Sequence, residues 1–134
     1  MIRMTTALLF TCLAWCGSAL AQGMPVPSTW QNQRNSILTV TSAGPNGQFS
    51  GRFVNNAPDF PQCRGQPYAM NGQPISGGGM IMFVVTFPPC NSVTAWRAVF
   101  VSANQMETIW QLAYPNPTGT LTIQKGADAF RRTN

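Results

Sequence analysis

Short runs in which polar and apolar residues alternate recur along most of the chain, and turn-forming residues separate them. The first clear run covers residues 36–41 and ends at a Gly-Pro-Asn-Gly segment. Within that segment Asn46-Gly47 is a strong hairpin signal, and residues 48–54 read as the returning strand. Further strands are predicted over 68–72, 80–87, 94–101, 107–113 and 120–124, with a short closing strand near Asp128. About eight short strands at regular spacing, without helical periodicity, predict an all-β antiparallel sandwich or barrel.

The first 21 residues have the pattern of a secretory signal peptide. Arg3 gives a basic start, residues 7–14 are mostly apolar, and residues 19–21 form an Ala-x-Ala cleavage site. The apolar run is too short for a membrane anchor, which needs about 20 apolar residues. We therefore predict a signal peptide over 1–21 and one domain over 22–134. That domain would be secreted, to the periplasm or the cell exterior, with no membrane attachment after cleavage.

Two of the four cysteines, Cys12 and Cys16, lie in the predicted signal peptide, so Cys63 and Cys90 remain. In an exported chain such a pair most often forms one disulfide. Two free thiols or half of a metal site are the alternatives. The chain has no histidine and no Cys-x-x-Cys spacing, which disfavours zinc, and we predict no metal site.

The charged residues are few and scattered. The net charge is +5, but only Arg131 and Arg132 are adjacent among the basic residues of the predicted domain, and no basic stripe is present. A nucleic-acid-binding surface usually clusters its cations on one face. We therefore expect no nucleic-acid partner.

The residue inventory argues against catalysis. Without histidine the usual base beside a nucleophile is missing, and Asp59, Glu107 and Asp128 are the only acids. No dinucleotide or phosphate-binding loop is present, and Gly77-Gly78-Gly79 reads as a hairpin turn. We predict no catalytic residue and no enzyme activity.

The chain instead offers polar groups combined with aromatic rings on successive strands. Ser92, Thr94 and Trp96 alternate along one predicted strand, so their side chains share a face, and Trp110 and Leu112 share a face of the next. If these faces point into a barrel, they form an apolar box with a few polar groups, which is the general form of a small-molecule site. The alternative is that both tryptophans are ordinary core residues.

Four motifs in this order resemble the avidin family. Residues 28–33 with Ser36 and 47–53 resemble the opening hairpin of avidins, and 91–96 and 107–112 resemble their two tryptophan strands. Residues 126–130 resemble the closing Gly-x-Asp-x-Phe element. The Phe-Val-Asn, Cys-x-x-x-Pro-Tyr and Cys-Asn-Ser segments resemble the bacterial dimeric avidins in particular.

The resemblance implies an eight-stranded antiparallel up-and-down β-barrel that binds biotin, as a ligand and not as a cofactor, in one open end. Asn32 and Ser36 would donate hydrogen bonds to the ureido oxygen of biotin. Asn55 and Asp128 would face the two ureido N–H groups.

The same resemblance assigns the rest of the predicted site. Thr94 would approach the ring sulfur, and Ser92 would lie toward the valerate carboxylate. Trp96, Trp110, Phe83 and Leu112 would wall the bicyclic ring.

The chain also departs from the family pattern. Phe53 stands where the family usually has a tyrosine that donates a third hydrogen bond to the ureido oxygen, and we expect the Phe53 ring to pack at the closed end of the site. No tryptophan lies between Leu112 and Gly126, where tetrameric members have one. We therefore expect a homodimer. An avidin-fold protein with weakened or lost biotin binding, which takes another small molecule or a peptide, is the alternative.

Overall fold

The computed structural model describes residues 23–75 and 79–134. The predicted signal peptide and the first two glycines of the predicted 77–79 turn lie outside these residues. The described chain forms eight strands: β1 (Ser28–Asn32), β2 (Ile37–Ala43), β3 (Phe49–Val54), β4 (Pro67–Pro74), β5 (Met80–Phe87), β6 (Ser92–Ser102), β7 (Gln105–Pro115) and β8 (Leu121–Arg132). Single 3₁₀ turns at Pro45–Gly47, Pro61–Cys63 and Pro88–Cys90 lie between strands. Within the described residues, no helix is long and apolar enough to span a membrane.

The strands form one closed antiparallel barrel in sequence order. Each strand pairs with the next, and β8 returns to pair with β1 through Trp30–Arg132, Gln31–Arg131 and Asn32–Phe130. Closure joins the first strand to the last, so the described sheet is continuous around the barrel. The up-and-down barrel is therefore confirmed, and the sandwich is excluded.

Two strands differ from the pattern-based prediction. The alternating runs did not mark β1 as a separate strand, because two of its three buried residues, Ser28 and Asn32, are polar. The predicted strand over 120–124 and the closing strand near Asp128 are one continuous strand, β8. The Lys125-Gly126 pair suggests a break in the sequence, but both residues keep their pairing with β7.

The predicted hairpin at Asn46-Gly47 is present. A single 3₁₀ turn joins β2 to β3, and both Asn46 (φ 60°) and Gly47 (φ 76°) adopt positive φ angles. Asparagine and glycine are the residues that tolerate this backbone conformation best, which explains why the turn forms here.

The interior of the barrel contains an almost continuous row of aromatic rings. In the strand register, Phe83 on β5 pairs with Trp96 on β6, and Trp96 pairs with Trp110 on β7. Directly paired residues face the same side of a sheet. The Phe83 and Trp96 rings stack, with centroids 5.0 Å apart and planes 11° from parallel. Phe83 and Trp96 thus pack against each other in the barrel interior.

A disulfide joins Cys63 to Cys90, as predicted. It connects the loop between β3 and β4 to the turn between β5 and β6, and Cys63 is fully buried. In the chain-entropy view, closing a loop of this length stabilises the fold by about 3–4 kcal/mol. The disulfide therefore holds two loops together at one end of the barrel.

Candidate functional site

A cavity opens at the end of the barrel where β1, β3, β5 and β7 finish. All of the predicted site residues except Phe83 line it: Asn32, Ser36, Phe53, Asn55, Ser92, Thr94, Trp96, Trp110, Leu112 and Asp128. The fold therefore brings together side chains from β1, β3, β6, β7 and β8 and from the β1–β2 and β3–β4 loops.

Phe83 does not line this cavity. Its side chain is fully buried, with one face stacked on Trp96. It also meets the Phe130 ring edge-on, at a centroid distance of 6.1 Å. Phe83 therefore packs against Trp96 without lining the cavity, and it fixes the plane of the Trp96 indole.

The amide of Asn32 has a fixed orientation. Its Oδ1 accepts hydrogen bonds from the backbone N–H groups of Arg34 (3.0 Å) and Ser36 (2.9 Å). Because both bonds use the oxygen, the NH₂ group remains a donor, and no other described residue accepts from it. The turn between β1 and β2 thus presents an oriented amide donor at the cavity.

Ser36 and Asn55 are linked next to this donor. The Ser36 hydroxyl accepts from the backbone N–H of Asn56 at 3.0 Å and lies 3.4 Å from the Oδ1 atom of Asn55. Asn55 Oδ1 also accepts from the backbone N–H of Ala57 at 3.1 Å. The long Ser36–Asn55 contact leaves the hydroxyl proton free to turn toward a stronger acceptor in the cavity.

Asp128 is a buried carboxylate inside the barrel. Trp96 Nε1 donates to its Oδ2 atom at 3.1 Å, and Gln33 Nε2 donates to its Oδ1 atom at 2.9 Å. Arg34 supplies a positive charge, with Nε 3.7 Å from Oδ1. The backbone carbonyl of Asp128 accepts from Thr108 Oγ1 at 2.9 Å. A buried acid needs such partners, and they hold this one as an acceptor.

The remaining walls are apolar or weakly polar. Phe53 is buried, with its ring centroid 4.8 Å from that of Trp96, and it meets Phe87 edge-on. Ser92 and Thr94 are buried on the same face of β6 as Trp96, which confirms the predicted alternation. Trp110 is half-buried, and its indole lies over Gly126, its partner in the β7–β8 register.

Several lining residues were not predicted from the sequence. Arg34 lies in the turn between two predicted residues, Asn32 and Ser36, and that position was the one available signal for it. The others come from loops and strand ends: Ala57, Asp59, Phe60, Cys63, Phe87, Cys90 and Gln124. Gln33, which bonds to Asp128, was also missed as a contributor to the site.

The cavity has the chemistry of a binding site. In the described part of the chain, no group of three potential metal ligands comes together. Oriented amide and hydroxyl donors lie on one side of the cavity and a buried carboxylate on another, between aromatic walls. Such an arrangement can bind a small ligand that offers both hydrogen-bond acceptors and donors.

The fold and cavity together define a ligand-binding β-barrel. The chain matches the model of the Avidin family over residues 21–133, and it belongs to this family. It is 39% identical to Afifavidin from Afifella pfennigii over 125 residues, which cover 87% of this chain and 76% of that protein. It is 33% identical to Hoefavidin from Hoeflea phototrophica over 118 residues, which cover 79% of this chain and 71% of that protein.

Solved structures give the same family. The structure of a bradavidin2–biotin complex matches with a TM-score of 0.74 and 39% identity, covering 83% of this chain and all of that chain. The rhizavidin–biotin complex matches with a TM-score of 0.69 and 32% identity, covering 82% of this chain and 93% of that chain.

The contact between Trp110 and Gly126 generates a prediction. A Cβ atom at position 126 would collide with the Trp110 indole, so Gly126→Ala should displace that wall. We expect the free energy of unfolding to fall by about 1–3 kcal/mol, as in other overpacked cores. Urea unfolding and near-ultraviolet circular dichroism measure the two effects. Gly23→Ala is the matched control, because a Cβ atom there meets nothing within 4 Å. Equal stability of both variants would contradict the contact.

Proposed function

We propose that this chain binds biotin in the barrel cavity and catalyses no reaction. The observation that supports this most strongly is a group of three polar side chains near the β1–β8 pairing, which we call the polar frame. Asn32 and Ser36 offer donors there, and Asp128 offers an acceptor. A ureido group has one carbonyl oxygen and two N–H groups, and therefore needs both kinds of partner.

In the proposed complex the ureido oxygen accepts from Asn32 Nδ2 and Ser36 Oγ. One ureido N–H donates to Asp128 and the other to Asn55 Oδ1. Because backbone N–H groups already fix the Asn32 amide, this donor needs little reorganisation when the ligand binds. Preorganised polar groups lower the entropic cost of association.

The bicyclic ring of biotin would then fill the space between the tryptophans. Trp96 and Trp110 would contact its faces, with Leu112 beside them and Phe53 at the closed end. Thr94 would lie near the ring sulfur and Ser92 toward the valerate carboxylate. Phe83 would contribute through Trp96, because its stacked ring keeps that indole in place.

We also propose that the mature protein is a secreted single domain over residues 22–134. The disulfide supports this, since such bonds persist in oxidising compartments.

The relatives that were solved in complex with biotin support the proposal that biotin is the ligand.

A homodimer is the assembly that we propose. The outer surface of β6–β8 exposes several apolar side chains: Val93, Val99, Val101, Ile109, Leu121 and Ile123. Val93 and Ile123 both pair with Ala113 in the strand register, so the exposed apolar residues reach across the three strands. Arg97, Glu107 and Lys125 are exposed on the same surface and supply charges of both signs. A large exposed apolar patch usually marks an interface.

Titration of residues 22–134 with biotin tests the proposed function. Tryptophan fluorescence should change, because two indoles line the cavity. The change should saturate at one biotin per chain. The absence of any change, together with no heat in calorimetry, would contradict biotin binding. It would favour an avidin-fold protein with another ligand.

Asp128→Ala should weaken biotin binding. Losing a hydrogen bond to a buried charged acceptor costs about 1.5–3 kcal/mol, which corresponds to about a ten- to 150-fold higher Kd. Calorimetric or fluorescence titration measures the change. Thr41→Ala, on the exposed part of β2 and outside the cavity lining, is the control and should bind like the original protein. An unchanged Kd in Asp128→Ala would refute the assigned role.

Phe53→Tyr should slow the dissociation of biotin. The added hydroxyl would restore a third donor to the ureido oxygen, and the ring would keep its packing against Trp96 and Phe87. A hydrogen bond in a dry site gives about a three- to 100-fold lower off-rate. Release of labelled biotin into excess unlabelled biotin measures this rate. A faster off-rate in the tyrosine variant would show that the cavity is adapted to phenylalanine.

Light scattering should give the mass of two chains. Ile109→Glu places a charge in the exposed apolar patch and should give a monomer, since a buried unpaired charge destabilises an interface. Thr41→Glu, on the exposed part of β2, is the matched control and should remain a dimer. A tetramer that persists on dilution would be inconsistent with this proposal.

A further inference from the structure

Arg34 contacts Asp128 inside the cavity. Its Nε atom is 3.7 Å from Asp128 Oδ1, and its guanidinium lies over the Trp110 ring at 5.6 Å from the centroid. All three side chains line the same cavity. The cation therefore shares the cavity with both a proposed acceptor and a proposed wall.

The three partners of the Asp128 carboxylate are not equivalent. The Trp96 and Gln33 bonds are short, and each donor is held by other contacts. Trp96 is packed between Phe53 and Phe83, and Gln33 Oε1 accepts from the backbone N–H of Ala129 at 3.0 Å. These two bonds occupy one lone pair on each carboxylate oxygen.

The Arg34 contact is the exchangeable one. At 3.7 Å it is an ion pair without a short hydrogen bond, and the Arg34 side chain is 39% exposed while that of Asp128 is 4% exposed. Trp96 and Gln33 leave one open acceptor position on each oxygen. The Arg34 side chain, which lines the cavity, lies near Oδ1.

We propose that Arg34 is a further determinant of ligand binding, which pairs with Asp128 in the empty cavity and competes with the ligand N–H for this carboxylate. The inference rests on the proposed function, because it needs a ligand N–H that donates to Asp128. Arg34 therefore lowers affinity by stabilising the unliganded site. Binding requires the guanidinium to give up part of its contact with Asp128 and to move over Trp110 toward solvent.

Salt provides a direct signature of this competition. Ions screen a partly exposed pair, so high ionic strength weakens the contact of Arg34 with Asp128 in the empty cavity. The hydrogen bonds of a neutral ureido group are much less sensitive to salt. Biotinamide is the probe, because it keeps the ureido ring and lacks the charged valerate carboxylate, and its affinity should rise with ionic strength in the original protein.

Arg34→Met tests the proposal, because methionine retains an aliphatic side chain over Trp110 without the charge. We expect a Kd for biotinamide about 1.5- to fivefold lower than in the original protein, the range for a partly exposed ion pair. We also expect that the Kd no longer depends on salt between about 0.05 and 0.5 M KCl. Arg34→Lys keeps the charge and should keep the direction of the salt dependence.

Arg52→Met is the matched control, because it removes the same charge from an exposed position on β3. It should leave both the Kd and its salt dependence unchanged. Weaker or unchanged binding of biotinamide in Arg34→Met, or an unaltered salt dependence, would overturn the competition while leaving the proposed function intact. Failure of biotin to bind any of these proteins would overturn the proposed function, and the competition with it.

Discussion

Strand β8 pairs with β1 from Trp30 to Asn32, and this ladder closes the sheet into a barrel. The same seam assembles the polar part of the cavity, because Asn32 lies at the end of β1 and Asp128 lies on β8 next to the pairing. Gln33 bridges the two sides through its bonds to Asp128 and Ala129. Donor and acceptor come from opposite ends of the described chain, so their separation is fixed only when the barrel is closed.

Aromatic packing makes the other half of the site rigid. Trp96 is held on one side by Phe83 and on another by Phe53, and its indole N–H is fixed by Asp128. The polar frame and the apolar walls are thus one connected unit, since the same indole belongs to both. A site that is already ordered loses little conformational entropy when a ligand enters, and this favours tight binding.

Sequence patterns predicted much of this architecture. Alternation and turn residues located six of the eight strands, because turn-forming residues bound them and most of them alternate between buried and exposed positions. β1 was missed because its inward residues include Ser28 and Asn32, and β8 was divided at Gly126, whose missing side chain makes room for Trp110. The motif resemblance predicted most of the cavity lining. It missed Arg34, because a turn residue acquires its contacts only after β1 and β8 meet, and it assigned Phe83 to the lining although the Trp96 ring separates Phe83 from the cavity.

A crystal structure of the mature chain with biotin tests the central claim most directly. The account predicts the ureido oxygen at about 3 Å from Asn32 Nδ2 and Ser36 Oγ, with a ureido nitrogen at a similar distance from the Asp128 carboxylate. The bicyclic ring should lie between Trp96 and Trp110. Biotin bound outside this cavity, or bound with its carboxylate toward Asn32, would contradict it.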